Sequence, residues 1–309
     1  MRCHFKDLIA GVDEKNMRSA LKDFEFHIRA KNLSPKTISV YGERLGYFYR
    51  YLRSKKVSFD EVTRQTLQDY ILFQKERGLK GISINGQVKV IKIFYKYLQE
   101  EGTIEFDPVD RVPLLKTEKR TKPIISEENF QKLLTVPDKK TFTGLRNFCI
   151  LLVFYDSLVR LGELTNIRIK DVDLEGGTIR IFGKGRKERI VPFGAATAKN
   201  LYRYLRNYRD SLPSDILFCT RDGRMLDHRN VLRITERLGT KIGIHVNPHL
   251  IRHSAASHRA MSGMPAFLLQ RLLGHTTIQM TQQYVHLVDD QKLKEAFKQY
   301  SPLDAMRIQ

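Results

Sequence analysis

The sequence predicts a mostly α-helical protein with two domains and a small antiparallel β-sheet in the second domain. Three observations lead to this prediction. Apolar residues recur at spacings of three and four along most of the chain, which is the period of an amphipathic helix. Residues 178–192 instead combine a strand, a glycine turn and a second strand. A basic stretch between two prolines, residues 109–122, separates the helical regions and is typical of an interdomain linker.

The first predicted domain spans residues 16–108 and follows an N-terminal extension, residues 1–15. The apolar stripe of its first helix, predicted over residues 16–30, comprises Met17, Leu21, Phe24 and Ile28. Ser34-Pro35 begins a second helix, because serine caps a helix and proline suits its first position. Two further amphipathic segments end at the helix-stopping glycines Gly78 and Gly102. The domain is therefore predicted to be a four-helix module.

The second predicted domain spans residues 123–309. Ser126 is expected to cap its first helix, and a continuous apolar run from Cys149 to Tyr155 predicts a buried helix. The strands of the predicted hairpin flank a glycine turn that carries several cations. Helical patterns dominate the remainder: residues 196–208, residues 230–242 and most of the chain up to residue 300.

The charge balance favours nucleic acid as a partner. The 309 residues include 54 Lys and Arg against 34 Asp and Glu, for a net charge of +20, which is more than solubility requires. The linker, residues 109–122, is itself basic. It is either a solvated surface loop or a link that closes a positive ring around a duplex, and the sequence leaves both interpretations open.

Cysteine usage and the N-terminus predict a cytoplasmic protein without a membrane partner. Cys3, Cys149 and Cys219 are odd in number, far apart and without CxxC spacing, so they indicate neither a disulfide framework nor a zinc site. The N-terminus lacks the apolar core of a signal peptide, and no run of 18 apolar residues occurs.

A set of polar residues in the second domain carries the candidate chemistry. Each of them alone has an ordinary explanation as a solvated charge or a packed side chain. Their order and spacing are distinctive, since Arg252 and His275 are 23 residues apart and His275 and Tyr284 are nine apart. In chain order the candidate catalytic residues are Arg160, Lys184, His249, Arg252, His275 and Tyr284.

Taken together, these residues resemble the tyrosine recombinase or phage integrase family, and their spacing is similar to that of its two-domain Xer-like members. The resemblance implies a helical core-binding domain and a catalytic domain that surround DNA like a clamp. It implies a site-specific recombinase that cleaves and rejoins DNA through a 3′-phosphotyrosine, without ATP, metal or another cofactor. The implied partners are double-stranded DNA with inverted-repeat core sites, a homotetramer assembled on that DNA and an accessory directionality factor.

The chemistry of phosphodiester cleavage suits these residue types. Two arginines, Arg160 and Arg252, can hold the charged nonbridging oxygens with paired hydrogen bonds. Tyr284 must lose a proton as it attacks, so we expect His249 to accept or relay it, with His275 orienting the phosphate or sharing that work. The resemblance implies that Lys184 supplies a proton to the departing 5′ oxygen.

Competing interpretations of the same residues are weaker. His249 and His253 have the i,i+4 spacing of a metal pair, but the glutamate of HExxH is absent and Arg252 would repel a cation. The glycines around Lys184 lack the spacing of a phosphate-binding loop, and Gly185 stands where that loop needs Ser or Thr. We therefore predict no metal and no bound nucleotide.

One segment departs from the family pattern. Many members have Gly-Leu-Arg where this chain has Leu158-Val159-Arg160, and Gly162 stands where a small polar residue is common. We expect the local helix to be set differently, with activity retained because Arg160 and Glu163 both remain.

Several functions fit the resemblance. Integration or excision of a mobile element is the leading expectation, and an Xer-like resolvase of chromosome or plasmid dimers is the alternative. A type IB topoisomerase uses related chemistry but acts as a monomer, and the two-domain pattern disfavours it. A DNA-binding regulator that has kept only the fold is disfavoured because Tyr284 and its matched partners are all present.

Overall fold

A computed structural model describes residues 5–12, 15–117, 123–183, 188–209 and 212–285. The chain divides into two compact units, residues 1–120 and residues 121–309, here called the N-terminal unit and the C-terminal unit. Lys184 and the predicted helical segment beyond residue 285 lie outside the described residues. No helix among the described residues is both long enough and apolar enough to cross a membrane.

The N-terminal unit is a helical bundle. The four helices expected from the apolar stripes are present, and a short helix precedes them. A 3₁₀ turn, Phe59–Glu61, joins the third and fourth helices of the bundle. In order the helices are α1 Phe5–Ala10, α2 Lys15–Ala30, α3 Pro35–Lys55, α4 Arg64–Glu76 and α5 Gly81–Glu100.

Aromatic packing and close helix contact hold this bundle together. The Phe24 ring of α2 lies 5.2 Å from Phe94 and 5.1 Å from Tyr97 of α5, between ring centroids. Helix α1 crosses α3 at Gly42, where an added Cβ would lie 2.8 Å from the backbone of Phe5. Because only glycine permits that approach, α1 is built into the fold of this unit.

The C-terminal unit combines eight described helices with a three-stranded antiparallel sheet. The strands are β1 Val172–Asp173, β2 Thr178–Phe182 and β3 Glu188–Pro192, in the order β1-β2-β3. The helices are α6 Glu127–Thr135, α7 Phe142–Ser157, α8 Leu161–Leu164, α9 Ala195–Tyr204, α10 His228–Thr240, α11 Pro248–Met261, α12 Ala266–Leu273 and α13 Gln279–Val285.

The β2–β3 hairpin is the predicted one, with both strands at the expected positions. Thr178 pairs with Pro192 at one end and Phe182 with Glu188 at the other. Ile179 and Ile181 of β2 are buried in the core of the unit, while Arg180 and Phe182 between and beyond them are exposed. The hairpin thus packs on the helices with one face, as its alternation of residues dictates.

Helix α7 extends further than the sequence indicates. The apolar run predicted a helix around residues 149–155, and the observed helix begins seven residues earlier, at Phe142, and ends at Ser157. Thr141 caps its start by accepting a hydrogen bond from the Gly144 N–H at 3.1 Å. Cys149 on this helix and Cys219 elsewhere in the unit are free and buried.

Candidate active site

Arg160 stands where α7 gives way to α8. Leu158 ends α7 in the left-handed conformation, with φ of 51°, and Arg160 then occupies the position directly before α8. Its Nη1 donates to Glu163 Oε1 at 3.0 Å and its Nη2 donates to the Gly274 carbonyl at 2.9 Å. These two hydrogen bonds hold the guanidinium in place, and because the side chain is 42% exposed, it is still accessible to a ligand.

Glu163, the carboxylate that binds Arg160, is buried. Besides Arg160, it accepts two hydrogen bonds from Arg189 on β3: from Nη1 to Oε1 at 2.7 Å and from Nη2 to Oε2 at 2.8 Å. Burial alone would raise the pKa of Glu163, but the hydrogen bonds from Arg189 and Arg160 hold it at about 2. Glu163 is therefore ionised at neutral pH.

Arg252 lies on α11, whose start is set by the Asn247 cap and by Pro248 at its first position. Its Nη1 donates to the Leu158 carbonyl, and its Nη2 donates to the Leu273 carbonyl at 2.6 Å. Burial, and next the positive charge of Arg160, lower the pKa of Arg252 to about 10. The guanidinium thus remains charged at neutral pH, close to Arg160.

His275 follows the turn that ends α12. Gly274 adopts φ of 58°, a left-handed conformation that favours glycine, and the chain then turns into His275. The Nδ1 of His275 lies 3.0 Å from Thr281 Oγ1. Burial, followed by the positive charges of Arg252, Arg160 and Arg189, lowers the pKa of His275 to about 4. At neutral pH the imidazole is neutral and can donate a hydrogen bond or accept a proton.

Tyr284 on α13 is packed close to Arg252. It is 5% exposed and contacts a small apolar core that includes Leu158 and Leu273, the two residues whose carbonyls bind Arg252. Its hydroxyl shares a hydrogen bond of 3.2 Å with Nδ1 of the buried His253. Burial raises the pKa of Tyr284, and the charge of Arg252 opposes that rise.

The structure thus gathers four of the six sequence-predicted residues. Arg160, Arg252, His275 and Tyr284 meet where the ends of α7 and α12 face α11 and α13. His249 is exposed on the first turn of α11. Lys184 lies outside the described residues, between the end of β2 and the start of β3.

The chain is similar to known proteins over both of its units. The model of the phage integrase family matches residues 123–291, and that of the phage integrase N-terminal SAM-like domain matches residues 21–102. A tyrosine recombinase XerC from Oceanobacillus iheyensis is 32% identical over 281 residues, which cover 88% of this chain and 92% of the relative. This chain belongs to the phage integrase family.

Solved structures of integrase-like recombinases share the fold. The XerH site-specific recombinase bound to palindromic difH substrate, in a post-cleavage complex, superposes with a TM-score of 0.75 at 21% identity, over 96% of this chain and 97% of that one. The Tn1549 transposon integrase in complex with a circular intermediate DNA gives a TM-score of 0.72 at 18% identity, over 96% and 99% of the two chains. The mostly helical fold with a small antiparallel sheet is confirmed.

Family membership also confirms the class of enzyme, a tyrosine recombinase that cleaves and rejoins DNA. The roles of individual residues in this integrase stay predictions. Sequence reasoning gave no role to Arg189, and it considered His253 only as half of a metal pair. The contacts of Arg189 with Glu163 and of His253 with Tyr284 could not be read from a short stretch of sequence. The two residues are 26 apart in the first pair and 31 apart in the second.

Proposed function

We propose that this integrase cleaves one DNA strand at a specific site by attack of Tyr284 on a phosphodiester, and then rejoins it to a new end. The observation that carries the proposal is the convergence of two arginines and a neutral histidine on the cluster that holds the tyrosine. Four groups from separate segments of the C-terminal unit meet there, and their chemistry is what phosphoryl transfer requires.

Cleavage conserves the energy of the phosphodiester. The Tyr284 Oη forms a bond to phosphorus as the bond to the 5′ oxygen breaks, which leaves a 3′-phosphotyrosine and a 5′-hydroxyl. A 5′-hydroxyl from another strand then attacks the phosphotyrosine and releases Tyr284 unchanged. The numbers of bonds and charges are equal before and after, so the reaction needs no external energy source.

Each side chain of the site has a separate proposed role. Arg160 and Arg252 bind the nonbridging oxygens, where charge builds up in the transition state. Neutral His275 donates a hydrogen bond to the same phosphate, and His249 remains the candidate acceptor or relay for the Tyr284 proton. Lys184 is the candidate donor of a proton to the 5′ oxygen. Tyr284 is buried against His253, so it must leave that contact to reach a phosphate.

The proposed partners follow from strand exchange. Double-stranded DNA with inverted-repeat core sites binds two protomers, and two such sites pair through a homotetramer. An accessory directionality factor selects between forward and reverse reactions. The net charge of +20 supports DNA binding through phosphate contacts, and the reaction takes place in the cytoplasm.

The biological role has two candidates. Integration or excision of a mobile element is the expectation from the sequence. The relatives named XerC, 30–33% identical over most of the chain, favour an Xer-like resolvase of chromosome or plasmid dimers. Sequencing the genomic DNA attached to the protein in covalent adducts separates the two, since adducts map either to the ends of an element or to one fixed chromosomal or plasmid site.

The test of the chemistry uses nicked suicide substrates made from DNA fragments that the protein binds. Incubated in EDTA without ATP, the wild type should form a protein–DNA adduct that resists SDS, and Tyr284→Phe should form none. Tyr202→Phe is the matched control, because Tyr202 is an exposed tyrosine of the same unit and its loss should leave the adduct intact. Tight DNA binding with no wild-type adduct would contradict the proposal.

A further inference from the structure

Strand β3 contributes the side chain of Arg189 to the candidate active site. Arg189 is the second residue of β3 and pairs across the hairpin with Ile181. Its side chain is 17% exposed and both of its terminal nitrogens donate to the carboxylate of Glu163, at 2.7 and 2.8 Å. This two-pronged contact is the strongest geometry available to an arginine and a carboxylate.

Glu163 is shared between two arginines. Its Oε1 accepts from the Arg160 Nη1 at 3.0 Å and its Oε2 accepts from the Arg160 backbone N–H at 2.7 Å. The three side chains together carry one net positive charge. Because Arg189 supplies the counter-charge of Glu163, the charge of Arg160 is left to act on a ligand.

Arg189 also touches the second anchor of Arg160. A Cβ added to Gly274 would lie 3.0 Å from both Cζ and Nε of Arg189, so the guanidinium packs directly on this glycine. The carbonyl of Gly274 accepts the hydrogen bond from Arg160 Nη2, and the next residue is His275. One side chain on β3 therefore supports both points that hold Arg160.

We infer that Arg189 is a positioning residue for DNA cleavage: it neutralises Glu163, holds the Glu163–Arg160 and Gly274–Arg160 contacts in place, and ties the β2–β3 hairpin to them. The inference rests on the proposed function. Without Arg189, the buried Glu163 has Arg160 as its remaining charged partner and draws the guanidinium toward itself, away from the phosphate. Arg189 itself does not touch DNA in this role, since both terminal nitrogens bind Glu163.

The test compares single-turnover cleavage of the nicked substrate at saturating protein, with DNA affinity and thermal melting measured on the same full-length variants. Arg189→Met should slow cleavage by at least about tenfold while DNA affinity changes by less than about threefold. Arg168→Met is the matched control, because Arg168 forms an exposed ion pair with Asp215 in the same unit, and its cleavage rate should stay within about twofold of wild type.

The double variant Glu163→Gln/Arg189→Met separates a charge effect from a merely structural one. Removing the carboxylate together with its counter-charge should restore the cleavage rate to at least about fivefold above that of Arg189→Met alone. A structural role predicts instead that the double variant is no faster than Arg189→Met. Arg189→Lys, which keeps the charge but loses the fork, should lie between Arg189→Met and wild type.

Each outcome decides the inference. Cleavage by folded Arg189→Met within about threefold of wild type would overturn it, as would a double variant that is not rescued. If Arg189→Met does not fold, the comparison passes to Arg189→Lys: slowed cleavage with unchanged DNA affinity supports the inference, and a wild-type rate overturns it. If the wild type forms no adduct, the proposed function has failed and this inference falls with it; a wild-type adduct with unaffected Arg189 variants rejects the inference alone.

Discussion

Leu158 adopts a backbone conformation that leucine seldom takes. It ends α7 with φ of 51° and ψ of 33°, and the left-handed region costs an L-residue about 1–2 kcal/mol. Its carbonyl accepts a hydrogen bond from Arg252, and its side chain is fully buried beside Leu273 and Tyr284. The sequence departs from the glycine that many family members have here, and the structure explains why leucine is tolerated: the side chain fills the core under the tyrosine.

Replacing Leu158 with glycine should lower the free energy of unfolding of the C-terminal unit by about 1–3 kcal/mol. Relief of the left-handed strain gains about 1–2 kcal/mol, but truncating a buried leucine costs about 2–5 kcal/mol, so the loss of packing is larger. Urea denaturation followed by circular dichroism measures the difference.

Lys56 is the matched control for this substitution. It ends α3 with a similar φ of 55°, but its side chain is exposed. Lys56→Gly should therefore stabilise the N-terminal unit by up to about 1 kcal/mol, since only the strain is removed. A Leu158→Gly protein as stable as the wild type would mean that burial of this side chain is not what holds the turn.

The point at which helix α7 ends determines where Arg160 lies. The helix begins after the Thr141 cap and ends at Ser157, three residues before Arg160, with Leu158 and Val159 between them. Near its start, a Cβ on Gly144 would lie 1.8 Å from the Asp138 carbonyl oxygen, a backbone atom. The preceding loop therefore crosses the helix at a distance that glycine alone permits.

Gly144→Ala should destabilise the C-terminal unit by more than about 2 kcal/mol, because the backbone of the loop must move to admit the methyl group. Gly194→Ala is the control: Gly194 precedes α9 with φ of −84°, and the nearest atom to an added Cβ is Asp156 Oδ2 at 3.5 Å. We expect that control to cost at most about 1 kcal/mol. Melting temperatures of the two variants test the pair, and equal losses would refute the argument from close packing.

Elements with a long amphipathic stripe were predictable from the sequence. The helix expected over residues 16–30 is α2, Lys15–Ala30, and both strands of the hairpin lie where their alternation placed them. Helix α1 was missed because its six residues, Phe5–Ala10, are fewer than two turns, which is too short a window for apolar spacing to identify a helix. The start of α7 was missed for the opposite reason, since a helix buried on every side has no polar face to mark it.

The candidate active site, like the fold, was predictable from the sequence only in part. Residues with a family pattern were found from their order and spacing, as with Arg252, His275 and Tyr284. Contacts that exist only in the folded chain were not: Arg189 reaches Glu163 from a different element, and His253 meets Tyr284 across two helices. The depressed pKa of His275, about 4, likewise arises from burial and from cations brought together by folding, none of which a linear pattern records.

At the scale of the whole molecule, the buried apolar residues form separate cores. One cluster runs from Phe5 to Val112, within the N-terminal unit. Two others, from Ile125 to Ile251 and from Leu158 to Tyr284, lie within the C-terminal unit. Each unit therefore has the hydrophobic interior that independent folding requires.

Residues 1–120 should fold without the rest of the chain, whereas residues 13–120 should not fold stably. The shorter fragment lacks Phe5, Leu8 and Val12, all buried in the core, and uncovers the face of α3 at Gly42. Burial of each such side chain contributes about 1.5–3 kcal/mol, so their loss removes roughly 5–9 kcal/mol. A domain of this size has a total stability of about 5–15 kcal/mol, which leaves the truncated fragment marginal or unfolded. Thermal melts followed by circular dichroism compare the two fragments. A truncated fragment that melts within a few degrees of the longer one would show that α1 adds little to this unit.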